Sequence, residues 1–292
     1  MIPLAFNLFY AGENSLGANI IEKLNLESAQ FEIRQFPDGE SYVRVDSEVA
    51  NRKVILIANL HQPDHKFLCL AYLCETLKEL GAAHITLISP YLPYMRQDIR
   101  FKPGEAVTSR IFARYLSGLV DKLITIDPHL HRYNSLDEIY SIPTTVLSAN
   151  RLIADWIKQN VNAPLIIGPD SESAQWAAET AELVGCPHLV LEKTRHGDRD
   201  VEIAMPDISH LKDHSPVLVD DIISTGRTMI QTAQELRKLG LKTPTCIGVH
   251  ALFSDDAFCK MKDSNIMQIV TCDTIPHKTN GVSCSPLLED LV

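Results

Sequence analysis

The chain lacks the features that mark membrane proteins and disulfide-rich secreted proteins. None of its apolar runs approaches the roughly 20 residues that a membrane-spanning helix needs. Its seven cysteines are an odd number and include no Cys-x-x-Cys pair, which predicts buried free thiols in a reducing compartment. The first residues show neither a basic stretch nor a small-residue cleavage site. We therefore expect a soluble, cytoplasmic protein without a membrane partner.

Basic residues are also scarce. The 27 Lys and Arg residues are outnumbered by 37 Asp and Glu residues, which gives a formal net charge of -10. This balance argues against a general nucleic-acid-binding protein, because such a protein needs a basic face. A local basic cleft in an acidic protein still permits a small polyanionic substrate. The 45% of hydrophobic residues is ample for an ordinary globular core.

The chain has no Gly/Ser-rich linker, and β-branched runs alternate with amphipathic helical stretches. This rhythm predicts an α/β fold in which helices cover parallel sheets. A strand, a helix and a second strand, predicted at 54–57, 66–80 and 85–88, are repeated weakly from 217 to 249. The repeat predicts two similar halves, residues 1–147 and residues 148–292. We expect about the last ten residues to pack back on the first half.

The strongest local motif is V-L-V-D-D-I-I-S-T-G-R-T, at residues 217–228. A hydrophobic strand is predicted to end at Asp220 and Asp221, and a helix is predicted to start near Thr228 or Met229. The free N–H groups of such a turn bind phosphate, and the hydroxyl side chains add donors. The acidic pair suits the hydroxyls of an attached sugar, or a metal ion. The predicted phosphate loop comprises Ser224, Thr225, Gly226, Arg227 and Thr228.

This motif resembles the loop that binds 5-phosphoribosyl-1-diphosphate (PRPP) in type I phosphoribosyltransferases and in PRPP synthetases. Other segments are similar to those of the synthetases and occur in the same order over nearly the whole chain, whereas simple transferases lack the first half. By this pattern the chain is identified as a member of the ribose-phosphate diphosphokinase family, nearest to its short archaeal-type members. The segments are F-P-D-G-E at 36–40, P-Y-L-P-Y-M-R-Q-D-I-R at 90–100, D-P-H at 127–129, G-P-D at 168–170 and E-K-T-R at 192–195.

The resemblance implies a fold and an activity. The expected fold is two tandem phosphoribosyltransferase-like domains, each a mainly parallel sheet flanked by helices. The first domain carries most ATP contacts, and the second carries the loop for ribose 5-phosphate. The implied reaction is the Mg²⁺-dependent transfer of the β,γ-diphosphoryl group of ATP to the 1-hydroxyl of ribose 5-phosphate, which gives PRPP and AMP. The family also implies a homo-oligomer, either a dimer or a larger assembly.

The resemblance assigns roles to individual residues. It assigns catalysis to Lys193 and Arg195, and Mg²⁺ binding to His129 and Asp170. Ribose 5-phosphate binding is assigned to Arg195, Asp220, Asp221 and the phosphate loop. The chain has no Walker loop, and the forked guanidinium groups of Arg96 and Arg100 are natural substitutes for it. ATP binding is assigned to Phe36, Asp38, Gly39, Glu40, Arg96, Gln97, Asp98 and Arg100.

The chain departs from the family pattern at two places. Arg227 stands where a second Gly is usual, and residues 171–173 replace a Gly-rich run. We expect the Arg227 side chain to point outward, because loop amides and hydroxyls already satisfy the phosphate oxygens. The second departure weakens the transfer of any contact just beyond Asp170.

Two other functions remain open. A non-catalytic regulatory relative of the synthetases is disfavoured, because Lys193 and Arg195 are both present. A phosphoribosyltransferase that consumes PRPP would leave residues 96–100 without a role.

Overall fold

The computed structural model describes residues 2–12, 15–170, 173–196, 200–204 and 211–289. The chain divides into two compact units. The first contains the residues up to 147 together with the segment from 285 onward, and the second contains residues 148–284. Each unit is built on its own six-stranded sheet.

The sheet of the first unit is parallel throughout, with strand order β2-β1-β5-β6-β7-β8. Its central strands are continuous apolar runs, as expected when helices cover both faces. A separate antiparallel hairpin, β3–β4, is inserted between the second and third sheet strands. The strands are β1 (Leu4–Leu8), β2 (Glu27–Ser28), β3 (Phe31–Gln35), β4 (Ser41–Val45), β5 (Lys53–Ala58), β6 (His84–Ile88), β7 (Lys122–Ile126) and β8 (Thr144–Leu147).

Helices α1 (Leu16–Lys23), α2 (Asp64–Glu79) and α3 (Thr108–Leu119) follow strands of this unit. The N-cap of α1 is Ser15, whose hydroxyl accepts a hydrogen bond from the Ala18 N–H at 3.3 Å. A 3₁₀ turn, Ser285–Leu288, packs against α1, and the Lys23 ammonium lies 2.7 Å from the Glu289 carboxylate.

The second unit repeats the first sheet strand for strand. Its order is β10-β9-β13-β14-β15-β16, again all parallel, and the hairpin β11–β12 is again inserted between the second and third sheet strands. The strands are β9 (Pro164–Gly168), β10 (His188–Val190), β11 (Glu192–His196), β12 (Asp200–Ala204), β13 (Ser215–Ile223), β14 (Thr245–Ala251), β15 (Gln268–Cys272) and β16 (Asn280–Val282). The helices are α4 (Asn150–Asn160), α5 (Ala174–Val184), α6 (Arg227–Lys238) and α7 (Ala257–Lys262).

The weak repeat in the sequence therefore corresponds to equivalent elements. The predicted strand–helix–strand segments are β5-α2-β6 and β13-α6-β14, which occupy the same places in the two sheets. The fold class predicted from the sequence is confirmed. The segment at 36–40, predicted to bind ATP, and the predicted catalytic residues Lys193 and Arg195 lie on the two inserted hairpins.

All seven cysteines are free thiols, as predicted. Five are buried, but Cys186 is half-buried and Cys259 is exposed, so the expectation of burial fails at these two positions. Within the described ranges, no helix is long and apolar enough to cross a membrane.

Candidate functional site

In the second unit, the predicted acidic residues lie at the carboxyl ends of two neighbouring strands. Asp170 follows β9, and Asp220 and Asp221 lie near the end of β13, which pairs with β9. The predicted strand end at these aspartates was too early, because β13 continues to Ile223. The reason is that β14 extends to Ala251 and offers backbone partners to Ile222 and Ile223.

The phosphate loop is short and is held by its neighbours. Helix α6 begins at Arg227, one residue earlier than predicted, with Gly226 as its N-cap. Gly226 has φ +66°, and a β-carbon there would lie 2.6 Å from the Met261 sulfur, so both conformation and packing require glycine. Arg227 is exposed at the start of the helix.

A second loop supports the first. The N–H groups of Phe253 and Ser254 donate hydrogen bonds to the carbonyls of Ile223 (2.9 Å) and Ser224 (3.2 Å). The hydroxyls of Ser224 and Ser254 are 3.4 Å apart. Sequence reasoning missed this support, because residues 252–255 carry no motif that distinguishes them from an ordinary loop after a strand.

Asp170, Asp220 and Asp221 lie close enough for their charges to affect the pKa of Asp220. Partial burial raises the pKa of Asp220 well above its usual range, and the negative charges of Asp221 and Asp170 raise it further. Asp170 is fixed by a tight turn. Its Oδ1 accepts from the Ser173 N–H at 3.2 Å, and the Ser173 hydroxyl donates to the Asp170 carbonyl at 2.8 Å. Residues 171 and 172, where the sequence departs from the family pattern, lie outside the described residues.

We predict that Asp220→Asn increases thermal stability in the absence of ligands. Because its pKa is raised on folding, Asp220 binds its proton more tightly in the folded state, so stability is lost as pH rises through that raised pKa. Asparagine carries no charge at any pH, so the variant does not lose this stability as the pH rises. At about pH 7.5 the melting temperature should rise by at least about 2 °C, since about 1 kcal/mol corresponds to a few degrees in a large domain.

Differential scanning calorimetry from about pH 4 to pH 8 tests this prediction. The stability gain should grow with pH, whereas Asp213→Asn, at an exposed position of the same unit, should give no such trend. A destabilised Asp220→Asn protein at neutral pH would contradict the assigned repulsion.

Asp170, Asp220 and Asp221 do not form a closed metal site by themselves. Among the described residues, no group of three or more His, Cys, Asp or Glu side chains could hold a metal ion without other ligands. Mg²⁺ does not need such a cage, because it keeps several waters and takes one or two carboxylates together with substrate phosphates. The concentration of like charge that raises the pKa of Asp220 is what a divalent cation would neutralise.

In the first unit, the predicted ATP-binding residues at 36–40 form the tip of hairpin β3–β4. The Phe36 N–H donates to the Glu40 carbonyl at 2.7 Å, and Gly39 has φ +92°, so the five-residue loop is closed and exposed. The Arg34 guanidinium lies 4.9 Å from the centre of the Phe36 ring and 4.0 Å from that of Tyr42. The sequence reasoning missed Arg34 and Tyr42. Strand alternation and the cross-strand pairing of 34 with 42 are the signal that reveals this cluster.

The predicted ATP-binding residues after β6 differ in their exposure to solvent. Arg96 and Arg100 are exposed and Gln97 is half-buried, whereas Asp98 is only 3% exposed. The Asp98 carboxylate accepts hydrogen bonds from Arg132, a residue that sequence reasoning did not select. The predicted metal residue His129 lies in the loop after β7 and is half-buried.

The predicted catalytic residues Lys193 and Arg195 lie on β11, so their segment is extended. Their backbones pair with Ile203 and Val201 of β12. The residues that follow at 197–199 lie outside the described residues.

Comparison with known proteins assigns both units to characterised families. Residues 8–119 match the N-terminal domain of ribose phosphate pyrophosphokinase, and residues 135–287 match the phosphoribosyl transferase domain. The ribose-phosphate pyrophosphokinase of Methanothermobacter thermautotrophicus is 33% identical over 97% of this chain and 98% of its own. That of Methanopyrus kandleri is 34% identical over 95% of this chain and 94% of its own. The crystal structure of phosphoribosylpyrophosphate synthetase from Mycobacterium smegmatis matches with a TM-score of 0.85 at 23% identity, covering 98% of this chain and 96% of that one, and thus has the same fold.

Proposed function

The chain belongs to the ribose-phosphate pyrophosphokinase family, and on this basis we propose that it transfers the β,γ-diphosphoryl group of ATP to the 1-hydroxyl of ribose 5-phosphate. The observation that carries the proposal is the presence of two complementary sets of residues in one chain. The second unit has a phosphate loop beside an acidic pair, and the first has an exposed aromatic hairpin and exposed arginines.

Ribose 5-phosphate binding falls to the second unit. The backbone N–H groups at the start of α6 and the hydroxyls of Ser224, Thr225 and Thr228 bind the 5-phosphate, because a helix N-terminus favours an anion. Asp220 and Asp221 lie just before this loop on β13 and accept hydrogen bonds from the ribose hydroxyls. Carboxylates repel phosphate, so this division of roles follows from charge.

ATP binding falls to the first unit. Phe36 offers an exposed ring for stacking with adenine, and Asp38 and Glu40 accept hydrogen bonds from the base or its ribose. Arg96 and Arg100 bind the triphosphate through their guanidinium forks, with Gln97 as a further polar contact.

The reaction needs positioning and charge stabilisation rather than a protein nucleophile. The ribose 1-oxygen forms a bond to the β-phosphorus, the bond from the β-phosphorus to the bridging oxygen of AMP breaks, and the hydroxyl proton is released. Lys193 and Arg195 stabilise the negative charge that develops on the transferring oxygens. Each unit has one candidate Mg²⁺ ligand, Asp170 in the second and His129 in the first, and a bound Mg²⁺ would supply neutralisation of the triphosphate charge.

Two alternatives are separated from this function by their products. A PRPP-consuming transferase would release diphosphate from PRPP and a base, and a regulatory relative would bind nucleotide without turnover. Incubation of the protein with ATP, Mg²⁺ and ribose 5-phosphate tests all three. We expect formation of PRPP that depends on ribose 5-phosphate, and its absence from a folded, ATP-binding protein would overturn the proposal.

We also propose that the chain forms a homo-oligomer through one face of the first unit. The outer side of α2 exposes Leu68 (50%) and Tyr72 (46%), and Tyr115 on the neighbouring α3 is 51% exposed. Tyr115 stacks on Phe67 with ring centres 6.2 Å apart, so the apolar surface continues from one helix to the other. A second copy of the chain suits this face, because in a twofold dimer the same apolar patch forms both sides of the contact.

We predict that the double variant Leu68→Glu, Tyr72→Glu dissociates the oligomer. Two carboxylates at the contact would lose their hydration on association, which costs several kcal/mol. Sedimentation velocity measures the change in mass, and Leu183→Glu, at an exposed position of the second unit, is the control. An unchanged assembly would place the interface elsewhere.

A further inference from the structure

The buried carboxylate of Asp98 is engaged within the protein. Both of its oxygens accept hydrogen bonds from Nη1 of Arg132, at 2.8 and 3.0 Å. A carboxylate that is only 3% exposed needs such a partner, because an unpaired buried charge is strongly destabilising. The family resemblance assigned Asp98 to ATP binding, whereas in the structure its carboxylate forms an ion pair with Arg132.

Only one of the three guanidinium nitrogens of Arg132, Nη1, takes part in this contact. Its side chain is 36% exposed, and the described part of the chain provides no hydrogen-bond partner for its Nε or Nη2. Its guanidinium carbon lies 5.4 Å from the ring centre of the exposed Phe101. A guanidinium group carries five N–H donors in a rigid fork, so one nitrogen can anchor the group while the others bind an oxyanion.

The position of Arg132 brings it to the edge of the sheet where the predicted nucleotide contacts lie. It follows His129 by three residues in the loop after β7, and Asp98 follows Arg96 by two residues in the stretch after β6. Strands β6 and β7 are parallel neighbours, so both loops leave the sheet at the same edge. The Tyr133 hydroxyl donates to the Asp98 carbonyl at 3.0 Å and ties the two loops together a second time.

We propose that Arg132 is a further contact for the triphosphate of ATP, and that Asp98 is a positioning residue that holds its guanidinium group in place. This inference rests on the proposed function, since it names an additional ligand of the same nucleotide. It requires the binding energy of Arg132 to depend on the phosphates and not on the adenosine. A purely structural ion pair between the two loops would not show that dependence.

The test compares ATP with adenosine, each titrated calorimetrically in the presence of Mg²⁺ and without ribose 5-phosphate. Arg132→Gln should weaken ATP binding by about tenfold or more, equivalent to about 1.4 kcal/mol, and leave adenosine binding within about twofold. Arg132→Lys retains the ion pair with Asp98 but lacks the fork, so it should weaken ATP by a smaller factor while the melting temperature stays unchanged. Asp98→Asn, like Arg132→Gln, should weaken the binding of ATP but not that of adenosine.

Arg110→Gln is the matched control. Arg110 is also exposed, and its Nε donates to the Tyr133 hydroxyl at 3.3 Å in the same loop cluster, so its loss perturbs the cluster without removing Arg132. Equal losses of ATP and adenosine affinity in folded Arg132 variants, or no loss for either, would overturn the inference. A wild-type protein that binds ATP but makes no PRPP would instead overturn the proposed function.

Discussion

Replacing Lys193 or Arg195 with alanine is expected to lower kcat by about 10²–10³, with much smaller changes in the KM values. Both residues lie on the extended strand β11 of the second unit. Cationic groups that act on the transferring phosphoryl oxygens interact most strongly when charge develops there. Their loss therefore affects the transition state more than the bound substrates.

Steady-state kinetics with each substrate varied in turn tests this expectation. Thr194→Ala is the control, since it changes the same strand between the two cations without removing a charge. A pure increase in KM with unchanged kcat for either cationic variant would show that the residue binds substrate but does not act in the chemical step.

Replacing Gly226 with valine is expected to weaken ribose 5-phosphate binding by at least about 100-fold, equivalent to about 2.7 kcal/mol. The residue has φ +66°, which a β-branched side chain adopts only with strain. A β-carbon would also lie 2.6 Å from the Cγ and Sδ atoms of the buried Met261. The start of α6 must then shift, and the N–H groups proposed to bind phosphate move with it.

Isothermal titration with ribose 5-phosphate measures the loss, and ATP binding should change far less. Gly240→Ala is a matched control, because Gly240 also has a positive φ (+74°) but open space around its β-carbon position. Adding Met261→Ala to Gly226→Ala should recover part of the affinity by removing the collision. Wild-type affinity in Gly226→Val would contradict the assignment of this loop.

Secondary-structure elements could be predicted from the sequence where their own residues carry the signal. The apolar strands β5 and β13 and the helices that follow them were predicted close to their observed positions, because buried strands and amphipathic helices leave a direct signal in the sequence. The end of β13 was missed, because its last residues pair with β14 and that partner's length cannot be seen in the local pattern.

The site residues divide in the same way. The segments at 36–40, 192–195 and 224–228 could be selected because each motif is contiguous in the chain. Arg132 and Ser254 were missed because they contact the predicted residues Asp98 and Ser224 from other loops. These contacts join residues that are 34 and 30 positions apart in the chain. Asp98 was recognised by its place in a motif, but its burial and its engagement by Arg132 became visible only in the fold.

The central claim is the transfer of a diphosphoryl group, and the fate of labelled ATP tests it most directly. With ribose 5-phosphate and Mg²⁺, ATP labelled at the β-phosphorus should pass its label to PRPP, and ATP labelled at the α-phosphorus should yield labelled AMP in equal amount. Lys193→Ala should slow both to the same extent. Release of ADP in place of AMP, or retention of the β-label on the nucleotide, would contradict the account.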